Sequence, residues 1–113
     1  MALGHDYGDD SNGFYIVKPA NKFKYSDQFA YVVVLDQSFG TTHVNLVLVS
    51  VESGGAETVE LTWPMTISNP DFNALANKFS TSVLMGGEAP GKYKLELQSD
   101  TATLAQASFT YTG

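Results

Sequence analysis

The chain has 113 residues, with twelve Asp and Glu against six Lys, no Arg and no Cys, for a formal net charge of −6. Without guanidinium forks or a basic stripe, nucleic acid and anionic membrane surfaces are disfavoured as partners. Without thiols there is no disulfide framework, no Cys-type zinc or iron–sulfur site and no cysteine nucleophile, and the length suits one domain that buries roughly two thirds of its unfolded surface unaided.

Met1-Ala2-Leu3 leads straight into Gly4-His5-Asp6, and no apolar run approaches the length of a membrane span, so neither insertion nor a signal peptide is expected. Residues 1–13 read as a flexible acidic leader, because GHDYGDDSNG has no apolar period and several chain breakers. The domain proper is expected at 14–113. A first strand at 14–18 stops at Pro19, which cannot donate to a ladder. Strands follow at 27–36 and 43–51, then a Glu52-Ser53-Gly54-Gly55 turn into a strand at 57–63.

Asn69-Pro70-Asp71 looks like a helix start, with Phe72, Leu75, Ala76 and Phe79 at i, i+3, i+4 and i+7 behind it. A helix of about two turns is marginal in water and needs packing on a sheet. From Asn77 or Lys78 a strand is expected, with Phe79, Thr81 and Val83 facing inward, until Met85-Gly86-Gly87 breaks it.

The closing stretch 89–113 alternates most cleanly. Tyr93, Leu95 and Leu97 interleave with Lys92, Lys94, Glu96 and Gln98; after Ser99-Asp100-Thr101, Ala105, Ala107, Phe109 and Tyr111 share one face of a return strand. Pro90-Gly91, the Tyr, the polar turn and the final Phe109-Thr110-Tyr111 resemble the last two strands of bacterial immunoglobulin-like domains. That resemblance implies an extracellular or envelope setting and adhesion, spacer or ligand-binding work, with Tyr93 near the place of a tyrosine corner. The Cys and Trp marks of antibody-type domains are absent. The expected fold is therefore all-β: an immunoglobulin-like antiparallel sandwich of about seven strands with one short helix, its core including Val33, Leu46, Trp63, Tyr93, Leu95, Leu97 and Phe109.

Two strands are apolar on both faces. Val32 and Val34 oppose Phe29, Tyr31 and Val33, and Val47 and Val49 oppose Val44, Leu46 and Leu48. Either β-branched residues simply suit central strands, or something covers them: a second copy, a neighbouring domain, or the segment 63–79 folded across.

Chemistry-bearing patterns are thin. Asp6, Asp9, Asp10 and Asn12 crowd oxygen ligands, but not at calcium-loop spacing, so no metal is expected there. His5 and His43 with Met1, Met65 and Met85 could suggest a copper site, yet Asp100-Thr101-Ala102 stands where copper-binding sandwiches carry Asp-Gly-His. Neither His lies in a nucleophile elbow, and Glu57 and Glu60 are expected on opposite faces of one strand, so no catalytic residue is assigned. A sandwich-type protease inhibitor would need loop motifs that Asn69-Pro70-Asp71-Phe72 does not supply.

The sequence thus favours a non-catalytic module with no cofactor, acting through protein or glycan contact or as a spacer. The alternative is a self-associating structural subunit of a filament or coat. Loops would carry specificity, and the topology places Gln37, Phe39 and Thr42 near Asp100 and Thr101 at one end, with Phe39 either a binding tip or an anchor turned back on the core.

Overall fold

The computed structural model describes residues 1–113 as nine strands and one helix. The strands are β1 (Ala2–Asp10), β2 (Gly13–Pro19), β3 (Lys22–Phe23), β4 (Gln28–Val34), β5 (His43–Val51) and β6 (Glu57–Thr66), then β7 (Ala74–Ser80). The helix α1 (Thr81–Met85) precedes β8 (Gly91–Gln98) and β9 (Thr103–Tyr111). The first sheet runs β2-β1-β4-β7 and the second β3-β9-β8-β5-β6, and they pack face to face.

The final hairpin forms as its alternation predicts. Tyr93 pairs with Phe109, Leu95 with Ala107 and Leu97 with Ala105, so each inward residue meets an inward partner. Ser99 closes the turn, its N–H donating to the Ala102 carbonyl at 2.9 Å. The strand expected at 43–51 is β5 to the residue. Phe29, Tyr31 and Val33 of β4 meet Val44, Leu46 and Leu48 of β5 and Leu95 and Leu97 of β8 in one core, with Trp63 partly buried at its margin. Phe23, Phe29 and Phe109 cluster at the end opposite the β4–β5 loop, with ring centroids 4.3 to 5.8 Å apart. The Tyr93 hydroxyl donates to the Ala89 carbonyl four residues upstream, which is the tyrosine-corner contact.

Three expectations are corrected. Residues 1–13 do not form a leader: β1 pairs with β4 through Ala2–Val32, Leu3–Tyr31 and Gly4–Ala30, then with β2 from Gly4 to Asp10. Its glycines are sites of close approach. A Cβ on Gly4 would stand 2.6 Å from Ile16 Cγ2, and one on Gly8 would sit within the Tyr15 ring.

The expected helix behind Asn69 is absent. Asn69 Oδ1 accepts from the Asp71 N–H at 2.9 Å and the Asn69 carbonyl from the Phe72 N–H at 3.1 Å, which makes a turn. Residues 74–80 then pair one for one with β4. Leu75 and Phe79 share a face in either conformation because four residues is a repeat of both the helix and the strand; the strand wins here by stacking Phe79 on Phe29 at 5.5 Å and 9°. Helix begins only at Thr81, which leaves Val83 exposed rather than inward.

Of the outward valines, Val32, Val47 and Val49 are already buried within the single chain, whereas Val34 stays 62% exposed. In the first sheet, β2 lies three places from β7, about 14 Å in a flat sheet, yet their Cα atoms come within 8 Å. The β1–β2 hairpin therefore curls over the outer face, and Ala30 and Val32 beneath it are 0 and 5% exposed. In the second sheet, Val47 lies between Thr62 and Glu96, and Val49 between Val59 and Lys94. Flanking side chains close over both. Lys94 reaches across β5 to Glu57 at 2.8 Å, and Glu96 is held down by Gln98 Nε2 at 2.8 Å and the Thr103 hydroxyl at 3.3 Å.

Candidate functional site

Asn45 of β5 pairs with Gln98 of β8, so the β4–β5 loop and the β8–β9 turn share one end of the sandwich. Gln37, Asp100 and Thr101 are exposed there. Phe39 is not: it belongs to the core, its N–H donates to the Phe72 carbonyl at 2.7 Å, and the Gly40 N–H donates to the Pro70 carbonyl at 2.9 Å. Thr42 is half-buried, its carbonyl accepting from the Ile67 N–H at 2.8 Å. Phe39 and Thr42 therefore strap the β4–β5 loop to the β6–β7 loop, and a polar tip of Gln37, Asp100 and Thr101 is left to solvent.

Beside that tip lies a feature the sequence reading missed. A groove of about 420 Å³ runs along β7, lined mainly by Phe14, Ile67, Phe72, Ala74, Leu75 and Ala76, with Thr66, Ser68 and Asn73 as its polar members. Phe72 is 49% and the neighbouring Val34 62% exposed. A smaller pocket of about 220 Å³, lined by Leu46, Trp63, Pro64, Met65, Asn77 and Phe79, opens farther along the same strand. Tyr31 reaches that seam, its hydroxyl 3.6 Å from Met65 Sδ, and burial pushes its pKa up to about 12. It stays a neutral donor.

The residues weighed for metal chemistry are dispersed among structural roles. Asp6 bridges to Lys78 at 3.1 Å, and that hydrogen bond, with the Tyr7 N–H, holds its carboxyl below the ordinary range. Asp10 accepts from the Asn12 N–H at 2.8 Å. His5 Nδ1 lies 3.0 Å from the Gln28 carbonyl with its ring edge-on to Phe23, whereas His43 starts β5 in the other sheet and is exposed.

Glu57 and Glu60 also separate, as Glu57 is taken by Lys94. Glu60 accepts from the Ser50 hydroxyl at 2.9 Å and faces Glu88. Glu88 is pushed above the usual carboxylate range, first by burial and then by Glu60.

No protein-family model matches the chain, and no curated protein is similar enough in sequence to be counted as a relative. Among solved structures the chain is similar to an immunoglobulin-like protein of Pseudomonas aeruginosa, with 16% sequence identity and a TM-score of 0.56 over 97% of this chain and 96% of that one. The fold is that of an all-β immunoglobulin-like sandwich.

Proposed function

We propose that this sandwich is a non-catalytic binding, adhesion or spacer module of an extracellular or envelope protein. The observation that carries the reading is the division of labour between an apolar, aromatic-rich core and one end built of loops strapped to it. Phe39 and Thr42 fix the loops from inside while Gln37, Asp100 and Thr101 face solvent. Such a rigid frame with a displayed polar end suits recognition of a protein or glycan, and sandwiches of this fold typically work without catalysis.

The competing reading, a self-associating filament or coat subunit, draws on sheet edges and surplus outward valines. Val47 and Val49 are 3 and 4% exposed within the single chain, which removes the part of that motive resting on them, while the 62% exposed Val34 and the open edge of β7 keep self-association as the alternative. Fractionation of the native cells, together with light scattering across a hundredfold range of concentration, tests the proposal. The expected result is an envelope or secreted pool and a constant monomer mass. A cytosolic pool, or a mass that climbs with concentration, would overturn it.

A further inference from the structure

We propose that the free edge of β7 and its groove form a docking site for an extended, basic segment of a partner protein in which apolar residues alternate with lysine or arginine. This rests on the binding-module reading above and gives it a place and a chemistry. Four strands end the two sheets, and three of them are closed to an added strand. β6 carries Pro64; β3 has only two residues; β2 curls over the sheet and finishes at Lys18, at φ 56°, and Pro19. β7 offers an unbroken run of seven residues, Ala74–Ser80, with neither Pro nor Gly nor bulge, beside two apolar pockets, whereas the seven residues of β6 before Pro64 are broken by a bulge at Glu60. An added strand would pair with the outward backbone groups of Ala74 and Ala76, short of Lys78, whose N–H already donates to Asn77 Oδ1 at 2.8 Å, and send alternate side chains toward the two apolar pockets along the same strand.

Charge selects the partner. All six lysines lie toward the end of the sandwich away from the β4–β5 loop, or on the hairpin and strand segments leading from it, and no lysine occurs between residues 25 and 77. Around the groove the charges are carboxylates. Asp9 pairs across the hairpin with the lining residue Phe14, and Asp10 follows it. Asp71 precedes Phe72, and Asp36 follows Leu35, whose N–H donates to the Asn73 carbonyl at 2.8 Å. All four are exposed. Lys78, the one cation on β7, is already taken by Asp6. A second copy would bring the same net charge of −6 to this rim, whereas a cationic strand is attracted to it.

The test titrates the full chain with a blocked Lys-Val-Lys-Val-Lys-Val-Lys-Val peptide and follows backbone amide shifts by NMR. The expected result is saturable shifts at 72–80 and at Phe14 by about 1 mM peptide, weakening as salt rises. Ala74→Lys, which puts a cation into the groove, should weaken binding about tenfold, and Asp71→Asn about threefold, both with unchanged melting. If Ala74→Lys fails to fold, the Asp71→Asn pair of titrations decides alone. The proposal is overturned if a Glu-Val peptide of equal length binds as well, if no shift appears on β7, or if the β7 shifts arise from dilution series without peptide. Shifts confined to Gln37, Thr42, Asp100 and Thr101 would also overturn it while leaving the binding-module reading intact.

Discussion

The two outer faces solve one problem in different ways. Each sheet places valines on its solvent side, at Val32 in the first and at Val47 and Val49 in the second, and each leaves them at most 5% exposed. The second sheet does so within its own plane, with long side chains from β6 and β8 lying over β5. The first sheet uses a separate piece of backbone, the β1–β2 hairpin, folded over β4 toward β7. A cover made of side chains can be lost one residue at a time, whereas a cover made of a hairpin is lost as a unit.

Deleting residues 1–12 should therefore have the largest effect. It strips Ala30 and Val32 and removes the neighbour of β4, and a loss of about 5 kcal/mol or more is comparable with the whole stability of such a domain. No cooperative melt should remain in circular dichroism; an unchanged melting temperature would return this segment to the status of a leader. Gly4→Leu attacks the same hinge more gently. The added side chain meets Ile16 Cγ2 at 2.6 Å and the Lys18 carbonyl at 2.8 Å, and should cost about 1–3 kcal/mol in denaturant unfolding.

On the second sheet, Val47→Lys buries an ammonium between Thr62 and Glu96, whose carboxylate offsets part of the desolvation, and should cost about 1–2 kcal/mol in a protein that stays monomeric. Val34→Lys, at a position 62% exposed, should stay within about 0.5 kcal/mol. Equal effects would erase the distinction between covered and open valines. The smallest effect is expected at Glu88, whose pKa is raised by burial and by Glu60. A carboxyl with a raised folded pKa contributes stability that is fully present below its unfolded value of 4.5 and is lost as pH rises through the folded value. At pH 7 Glu88→Gln should thus raise the melting temperature slightly, and the gain should vanish below about pH 4.5.

Legibility in the sequence followed how locally each choice was determined. The 89–113 hairpin and β5 could be read because alternation, turn residues and register all agree within a dozen positions. β1 could not, because Gly4 and Gly8 look like chain breakers until Ile16 and Tyr15 are seen against them. Residues 72–79 satisfied helix and strand periods together, and only the Phe29 ring, more than forty residues upstream, decides between them. At the loop end the sequence located Gln37, Asp100 and Thr101 but left Phe39 open between tip and anchor. The carbonyl of Phe72 that straps it belongs to a loop whose course no local pattern reports. The groove on β7 was invisible for the same reason, since Phe14 comes to line it beside Phe72 only after the hairpin has curled.

β9 is bonded on both sides, antiparallel to β8 and parallel to β3, where Thr110 and Tyr111 align with Lys22 and Phe23. The Thr112 hydroxyl and the Phe23 carbonyl it reaches are 89 residues apart in the chain. Phe109 arrives with that strand and fits its ring against Phe23, Phe29 and Tyr93, which come from both sheets. The aromatic cluster is thus unfinished until β9 has docked. Until then β8 is bare along one flank and Phe23 and Phe29 lack their lid. Closing so long a loop is slow relative to hairpin formation, so the vulnerable interval in the folding of this domain is the one before β9 docks, when chaperone capture and misassociation compete with the arrival of one strand.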